Sequence, residues 1–292
     1  MATGDDTHSM ALFCDFENVA LGVRDAKYDK FDIRKVLERL LVKGSIVVKK
    51  AYCDWERYKE FKAAMHEAAF ELIEIPHVRM SGKNSADIRM VVDALDLCYT
   101  KSHVDTFVII SGDSDFSPLV SKLRENNKAV IGVGVKNSSS DLLISNCDEF
   151  IYYDDLVREE KAKVKRAAPR KKPTSKAAAA KAAVAQPEPA AHADGEDKPQ
   201  YENKTAQALD LVVGVFDALM AERGDDEKIW GSMIKQTLKR RHPGFNESYY
   251  GFKSFNSLLE EAAIRGMLDL KRDEKSGGYI VSTGDHEPLL AD

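Results

Sequence analysis

Short apolar runs alternate with helical patterns over the first half of the chain. Six runs rich in β-branched and aromatic residues predict strands at Met10–Cys14, Ile46–Cys53, Glu71–Pro76, Thr106–Ser111, Ala129–Val133 and Phe150–Tyr153. Between them, apolar positions at helical spacing predict helices at Phe31–Leu41, Glu56–Ala69, Ser85–Tyr99, Phe116–Asn126 and Asp141–Asn146. This alternation is typical of an α/β fold with a parallel sheet covered on both faces. In the third helix we expect a buried stripe of Ile88, Val91, Val92 and Leu95.

The composition changes after residue 157. Residues 158–203 are mainly Ala, Lys, Pro and Glu, and so few large apolar side chains predict a disordered linker. The linker is basic first and acidic later, which fits either a solvated tether or an arm that contacts phosphates. Over 204–283, three helical patterns precede two short strands, Met267–Leu270 and Tyr279–Val281. That order predicts a second, smaller winged helix-turn-helix domain.

Composition and charge narrow the class of protein. The 292 residues suffice for one large and one small domain, and a net charge of −5 argues against coating nucleic acid through the overall field. No apolar run approaches the roughly 18–20 residues of a membrane span, and the first residues are polar, so we expect a cytoplasmic protein. Four scattered cysteines lack the spacing of a zinc or redox motif and are expected to be buried free thiols: Cys14, Cys53, Cys98 and Cys147.

Acidic residues follow two of the predicted strands. Asp15 comes after the first strand, Asp113 and Asp115 come after Thr106–Ser111, and Asp87 opens the third helix. In an open α/β sheet, sites form at the carboxyl ends of the strands. Carboxylates gathered there repel one another unless a cation joins them, which favours a Mg²⁺ or Mn²⁺ site over four independent helix caps.

Such a site can perform phosphate chemistry. A divalent ion stabilises the negative charge that develops when water attacks a phosphodiester, and it lowers the pKa of the attacking water. Asn18 would orient that water or a phosphate, or it would serve only as a capping or turn residue. Lys83 lies in the loop before Asp87. Its side chain would either contact a substrate phosphate or be solvated.

Three ordered motifs carry a family resemblance. They are Leu12–Asn18, Lys83–Asp87 and Ile110–Leu119, and they resemble the signatures of NYN domains, PIN-like nucleases also met in bacterial LabA-type proteins. The resemblance covers about residues 10–157 and implies a PIN-like three-layer fold with metal-dependent ribonuclease activity. It implies Asp15, Asp87, Asp113 and Asp115 as ligands of Mg²⁺ or Mn²⁺. Ser111 and Asn18 match supporting positions of the family. Asp93 matches a further acidic position, and Asp141 matches a helix start near the site.

The C-terminal part is similar to the LOTUS domain, also called OST-HTH, over Phe245–Phe255 and the downstream Leu258-Leu259. This resemblance implies RNA binding. The charges and stacking faces that RNA would need are present in Lys235, Lys239, Arg240, Arg241, Lys253 and Tyr249 or Tyr250. A plain solvated basic face is the alternative.

Together these patterns predict a metal-dependent ribonuclease with a C-terminal RNA-binding module. The catalytic set is Asp15, Asn18, Asp87, Asp113 and Asp115, and the partner is single-stranded or structured RNA rather than a membrane. A noncatalytic RNA-binding adaptor that uses the first domain as an interaction platform is the alternative, and a phosphatase of small esters is a third hypothesis. The sequence leaves homo-oligomerisation open.

Overall fold

The computed structural model describes residues 8–75, 85–167, 198–223, 228–273 and 277–284. Pro76, Lys83 and Asn84, which the sequence analysis considered, lie outside these ranges. No helix in the described ranges is both long enough and apolar enough to cross a membrane. All four cysteines are free and buried, as predicted.

The first half of the chain forms one six-stranded parallel sheet. Its strands are β1 (His8–Asp15), β2 (Gly44–Cys53), β3 (Glu71–Glu74), β4 (Thr106–Ile110), β5 (Ala129–Gly134) and β6 (Glu149–Tyr152). They lie in the order β3-β2-β1-β4-β5-β6, and each neighbouring pair is parallel. The order reverses between β1 and β4, and a doubly wound sheet has its ligand crevice outside the carboxyl ends of the strands at such a point. The α/β fold class and all six predicted strands are confirmed.

Helices connect these strands within the described part of the chain. They are α1 (Phe16–Asp25), α2 (Ile33–Leu41), α3 (Lys59–Glu67), α4 (Ser85–Thr100), α5 (Ser117–Glu125), α6 (Asp141–Asn146) and α7 (Tyr153–Ala167). Helices α2 to α6 were predicted from the sequence, whereas α1 and α7 were not. Side chains of β1 alternate between the two faces of the sheet, so that Leu12 belongs to one buried cluster and Phe13 to the other. An apolar core on both faces explains why this strand has a continuous apolar sequence.

The predicted buried stripe of α4 is wrong for Ile88 and Val92, whereas Val91 and Leu95 are partly buried and pack against the core. The residues of this helix that are buried are Met90, Ala94 and Cys98, whereas Ile88 and Val92 are 62% and 55% exposed. Both stripes have helical spacing, so periodicity alone did not distinguish the face packed on the sheet from the face that borders a groove. The true orientation places Asp87 beside that groove.

The C-terminal part contains α8 (Lys198–Arg223), β7 (Ile229–Trp230), α9 (Gly231–Arg241), α10 (Phe255–Ile264), β8 (Leu268–Arg272) and β9 (Tyr279–Thr283). The three strands form a small antiparallel sheet in the order β7-β9-β8. Helices and sheet enclose their own apolar cluster, which includes Leu209, Phe216 and Leu258. Three helices with a small antiparallel sheet are the composition expected of a winged helix-turn-helix domain.

Both ends of the predicted linker are helical. Helix α7 continues to Ala167 and α8 begins at Lys198, so the helices enter the range 158–203 from either side. Residues 168–197 lie outside the described ranges. The boundaries 10–157 and 204–283 therefore stay a prediction.

Candidate acidic site at the carboxyl edge of the sheet

Asp15 is the buried centre of the site. It ends β1 and caps α1, with its Oδ1 accepting a hydrogen bond from the Asn18 backbone N–H at 3.4 Å. Its Oδ2 accepts from the Ser111 hydroxyl at 3.0 Å. The residue is only 8% exposed. A strand that enters a helix directly thus fixes this carboxylate at the reversal point between β1 and β4.

Ser111 links Asp15 to the second acidic segment. Its fully buried Oγ donates to Asp15 and also accepts from the Asp113 backbone N–H at 3.2 Å. Asp113 in turn accepts from the Asp115 N–H at 2.9 Å and caps the short helical turn that follows. One serine at the end of β4 therefore positions the acidic residues of two neighbouring strands.

Asp87 approaches from a third element. It lies in the first turn of α4, is half-buried and lines the groove beside Asp115. Burial, followed by the charges of Asp113, Asp115 and Glu17, raises its pKa from 3.8 to about 6. The acidic residues of α4, of the segment after β4 and of α1 therefore act on one another electrostatically.

The pKa of Asp15 shows the same coupling. Burial is the main reason that it rises from 3.8 to about 7, and the charge of Asp87 adds to the rise, with a smaller effect from Asp113. The hydrogen bonds from Ser111 and Asn18 lower it, but they do not compensate. Within the described part of the chain, no Lys or Arg is among the main causes of the pKa of either Asp15 or Asp87. Asp15 and Asp113 are thus held by neutral donors.

The NYN domain family model matches residues 9–154, which is half of the chain. The chain belongs to the NYN domain family. The NYN domain that the three motifs predicted is thereby confirmed. The LOTUS domain predicted for the C-terminal part is not shown by a family model.

Two relatives each match about half of the chain. An uncharacterized protein of Methanocaldococcus jannaschii is 26% identical over 159 residues, 54% of this chain and 61% of that protein. Meiosis regulator and mRNA stability factor 1 of Xenopus tropicalis is 24% identical over 162 residues, 54% of this chain and 9% of that protein. The matches thus span less than two thirds of the length of each of these relatives.

A crystal structure of a protein of unknown function from Vibrio parahaemolyticus is similar to the chain as well. It shares 27% identity, with a TM-score of 0.47, and the match covers 53% of this chain and 98% of that one.

A groove of about 740 Å³ opens beside the acidic residues of the NYN domain. One side carries Asp87 and Asp115, and the other is apolar, with exposed Ile88, Val92 and Leu142. Ser117 also lines the groove; it is 6% exposed, and its Oγ has no hydrogen-bond partner among the described residues. A buried hydroxyl without a partner costs about 1–3 kcal/mol, so Ser117 fits a ligand that supplies the missing bond.

The carboxylates and the buried hydroxyl fit a hard divalent cation. Among the described residues, no three His, Cys, Asp or Glu side chains are arranged to hold an ion directly. Mg²⁺ usually takes only one or two carboxylates and keeps several waters, so a looser arrangement suits it. The raised pKa values of Asp15 and Asp87 show that a positive charge would be favourable there. The ligand roles of these residues and of Asp113 and Asp115 stay a prediction.

Sequence reasoning missed two residues of the site. Glu17, in the first turn of α1, contributes charge to Asp87 and pairs with the Arg57 Nη1 at 3.1 Å. Its spacing of two residues from Asp15 was the available signal. Ser117 lies within the motif Ile110–Leu119, but the sequence assigned it no role, because its lack of a partner among the described residues depends on how the first turn of α5 packs.

Three other predicted positions have well-defined contacts. The Asn18 Oδ1 accepts from the Gly112 N–H at 2.9 Å, so Asn18 connects α1 to the loop after β4. Asp93 accepts hydrogen bonds from the Tyr52 hydroxyl at 2.9 Å and from the Arg89 Nε at 3.0 Å. It does not line the groove. Asp141 is exposed at the start of α6, which Ser140 caps.

The predicted RNA-binding residues of the C-terminal domain differ in their surroundings. Lys235 pairs with Glu247 at 2.9 Å, and Tyr250 stacks on Phe245 with ring centroids 5.2 Å apart. Lys239 is partly buried in a crevice that Glu247 also lines. The remaining three are exposed: Arg240, Arg241 and Lys253. Their roles in RNA binding stay a prediction.

Proposed function

We propose that the protein is a metal-dependent ribonuclease that hydrolyses RNA phosphodiesters at the acidic site. One observation carries the proposal: Asp15 and Asp87 come from separate elements, and the neighbouring carboxylates add to the rise in the pKa of both. An arrangement that destabilises the folded chain by charge repulsion is typical of a functional site. Membership of the NYN family and the sequence match to a factor named for mRNA stability support RNA as the substrate.

Asp15, Asp87, Asp113 and Asp115 would hold Mg²⁺ or Mn²⁺. When bound, the ion would neutralise developing phosphate charge and lower the pKa of its water. The Ser111 hydroxyl donates a hydrogen bond to the Asp15 carboxylate and accepts one from the backbone N–H of Asp113. Asn18 acts as a positioning residue, because its amide oxygen holds Gly112 at the start of the acidic loop.

The groove supplies substrate contacts. The buried Ser117 hydroxyl has no hydrogen-bond partner among the described residues. It would donate a hydrogen bond to a phosphate oxygen of the substrate at the acidic edge. The exposed apolar side chains Ile88, Val92 and Leu142 offer a surface for the bases or sugars of the strand. Contacts of this kind do not read base identity, so we expect weak sequence preference.

The C-terminal domain is proposed to be a LOTUS/OST-HTH-type RNA-binding module. Exposed Arg240, Arg241 and Lys253 provide charge for phosphates. Holding a second RNA contact on the same chain raises the effective concentration of substrate at the acidic site.

Cleavage of end-labelled RNA and DNA by the full chain tests the proposal. With Mg²⁺ or Mn²⁺, single-stranded RNA should be cut, and EDTA should stop the reaction. Asp113→Asn should reduce the rate at least about 100-fold, since it removes charge from the metal site. Asp96→Asn is the matched control, because Asp96 is an exposed carboxylate on α4 that does not line the groove.

Each rival function has its own outcome in this assay. RNA that is bound but not cut under any metal would show the noncatalytic adaptor. Faster hydrolysis of p-nitrophenyl phosphate than of RNA would show a phosphatase. Cleavage that survives Asp113→Asn would show a contaminating nuclease, and the ribonuclease assignment would be withdrawn.

A further inference from the structure

The C-terminal domain docks on the edge of the NYN sheet at β6 and α7. The Phe150 N–H donates to the Pro243 carbonyl at 3.0 Å, which covers part of the edge strand. The Asn246 side chain donates to Asp155 at 2.7 Å. Asp155 is 4% exposed, so the domain contact buries it. These two hydrogen bonds connect the C-terminal domain to the NYN domain.

A cleft of about 350 Å³ lies along this contact. Lys136 and Tyr152 of the NYN domain line one side, and Arg241, Tyr249 and Tyr250 of the C-terminal domain line the other. The cleft thus combines cationic groups with aromatic walls from both domains.

Three cations converge on the ring of Tyr249. The Lys136 Nζ lies 3.2 Å from the ring centroid, the Lys204 Nζ 4.9 Å, and the Arg158 guanidinium carbon 5.4 Å. Arg158 is paired with Asp155 at 2.7 Å. Lys136, Lys204 and Arg241 form no ion pair within the described part of the chain. Like charges so close together repel one another, and an anion would relieve that repulsion.

Acidic residues fill this role only in part. Asp155 accepts hydrogen bonds from Arg158 and Asn246, and the charge of Lys136 also acts on it. Asp141, the other acidic residue that lines the cleft, is exposed at the first turn of α6. One carboxylate does not balance the three cations beside Tyr249, so an external anion would still be attracted there.

Helix α6 separates the cleft from the acidic groove. Leu142 and Asn146 face the groove, whereas Asp141, Ile144 and Ser145 face the cleft. The two cavities are thus about one helix diameter apart, roughly 10 Å. A polymer of phosphates can reach both cavities, which a single nucleotide cannot.

We propose that the interdomain cleft binds a segment of single-stranded RNA whose phosphate lies among Lys136, Lys204 and Arg241. The neighbouring bases stack against Tyr152 and Tyr250, since aromatic walls bind any base. The strand continues over α6 toward the acidic groove. This inference rests on the proposed function, and it adds a binding site that the acidic residues do not provide.

Binding of a fluorescein-labelled single-stranded RNA tests the cleft. The full chain carries Asp113→Asn, and EDTA is present, so that cleavage does not interfere. The double variant Lys136→Gln with Lys204→Gln should bind about tenfold more weakly at low salt. The slope of log affinity against log salt should decrease by about one for each phosphate that loses its lysine. Lys101→Gln, an exposed lysine at the end of α4, is the matched control and should bind as the parent does.

Three results would overturn the inference. The first is a double variant that binds with the affinity and salt slope of the parent. The second is AMP competing at the same concentration as the RNA, which would show a mononucleotide pocket. The third is a combination of results: the double variant loses binding and melts at a lower temperature, and 4-thiouridine RNA does not crosslink to the Tyr249 peptide of the parent. That combination would show that the two lysines have a structural role.

Cleavage by the unsubstituted chain separates the two proposals. Metal-dependent cleavage that the lysine variants leave unchanged would contradict the cleft alone. Loss of binding in those variants, with no cleavage by the unsubstituted chain, would contradict the nuclease and leave the cleft supported.

Discussion

Replacing Asp15 with Asn should stabilise the protein when divalent metal is absent. Burial and the nearby Asp87 raise the pKa of Asp15 from 3.8 to about 7. Above pH 7 its ionisation therefore costs the folded state about 4 kcal/mol, because each tenfold change in proton affinity is worth about 1.4 kcal/mol. Because the folded state has the higher pKa, it binds the proton more tightly, and stability is lost as the pH rises from about 4 to 7.

The substitution also weakens two contacts. The Asp15 carboxylate accepts from the Ser111 hydroxyl and from the Asn18 N–H, and an amide retains these bonds only in part. At about 1 kcal/mol each, their loss leaves a net gain of about 2 kcal/mol at pH 8, or roughly 4–8 °C in melting temperature. Near pH 5 the folded wild type is protonated at Asp15, so the electrostatic gain is smaller and the net effect falls to about zero.

Thermal melts in EDTA at pH 5 and pH 8 measure this difference. Asp96→Asn, which replaces an exposed acid on α4, should leave the melting temperature unchanged at both values. Mn²⁺ should then raise the melting temperature of the wild type at pH 8 by more than it raises that of Asp15→Asn. If Asp15→Asn melts below the wild type at pH 8 in EDTA, the reasoning is refuted, since the carboxylate would then be a stabilising group.

Three further substitutions test individual contacts. Asn18→Ala removes the acceptor of the Gly112 N–H and should lower the free energy of unfolding by about 1–2 kcal/mol in urea, whereas Asn203→Ala, exposed on α8, should not. Ser117→Ala removes a buried hydroxyl without a hydrogen-bond partner in the described ranges, so stability in EDTA should not fall, but RNA should be cleaved more slowly because the proposed bond to the substrate phosphate is lost; an unchanged cleavage rate would contradict its role. Asn246→Ala deprives the buried Asp155 of a 2.7 Å hydrogen bond and should speed proteolysis between the domains, and equal proteolysis would contradict the docking.

The strands were predictable because their physical cause is local. A strand buried on both faces needs a continuous apolar run, and β1 and β4 both have one. The acidic residues were located for the same reason, since Asp15 and Asp113 directly follow those runs. Their electrostatic coupling then follows from parallel strands that end at one edge.

Other features depend on pairing between distant segments. Helix α4 has two apolar stripes, and its packing on the sheet decides that Met90 is buried while Ile88 borders the groove. Helix α1 was missed because its buried positions Val19 and Val23 are few and follow the Asp15 motif without a break. Docking through Phe150 and Pro243 joins backbone atoms of residues far apart along the chain, and no local pattern encodes it.

The distribution of charge gives the proposed mechanism its selectivity. Hydroxyl, amide and backbone donors hold the acidic residues in place: Ser111 for Asp15, and Asn18 for the loop of Gly112. A Lys or Arg in these positions would stabilise the metal-free protein, but it would also neutralise the charge that attracts a divalent ion. Two cations without an ion pair in the described ranges, Lys136 and Lys204, lie instead beside Tyr249, which lines the cleft beyond α6. An RNA strand is therefore attracted to the cleft, while its phosphates are repelled by the acidic groove until a cation is bound there. Added Mn²⁺ should consequently tighten binding of a cleavage-resistant RNA analogue by the wild type more than by Asp87→Asn, and equal tightening in both would show that the groove and the strand do not meet.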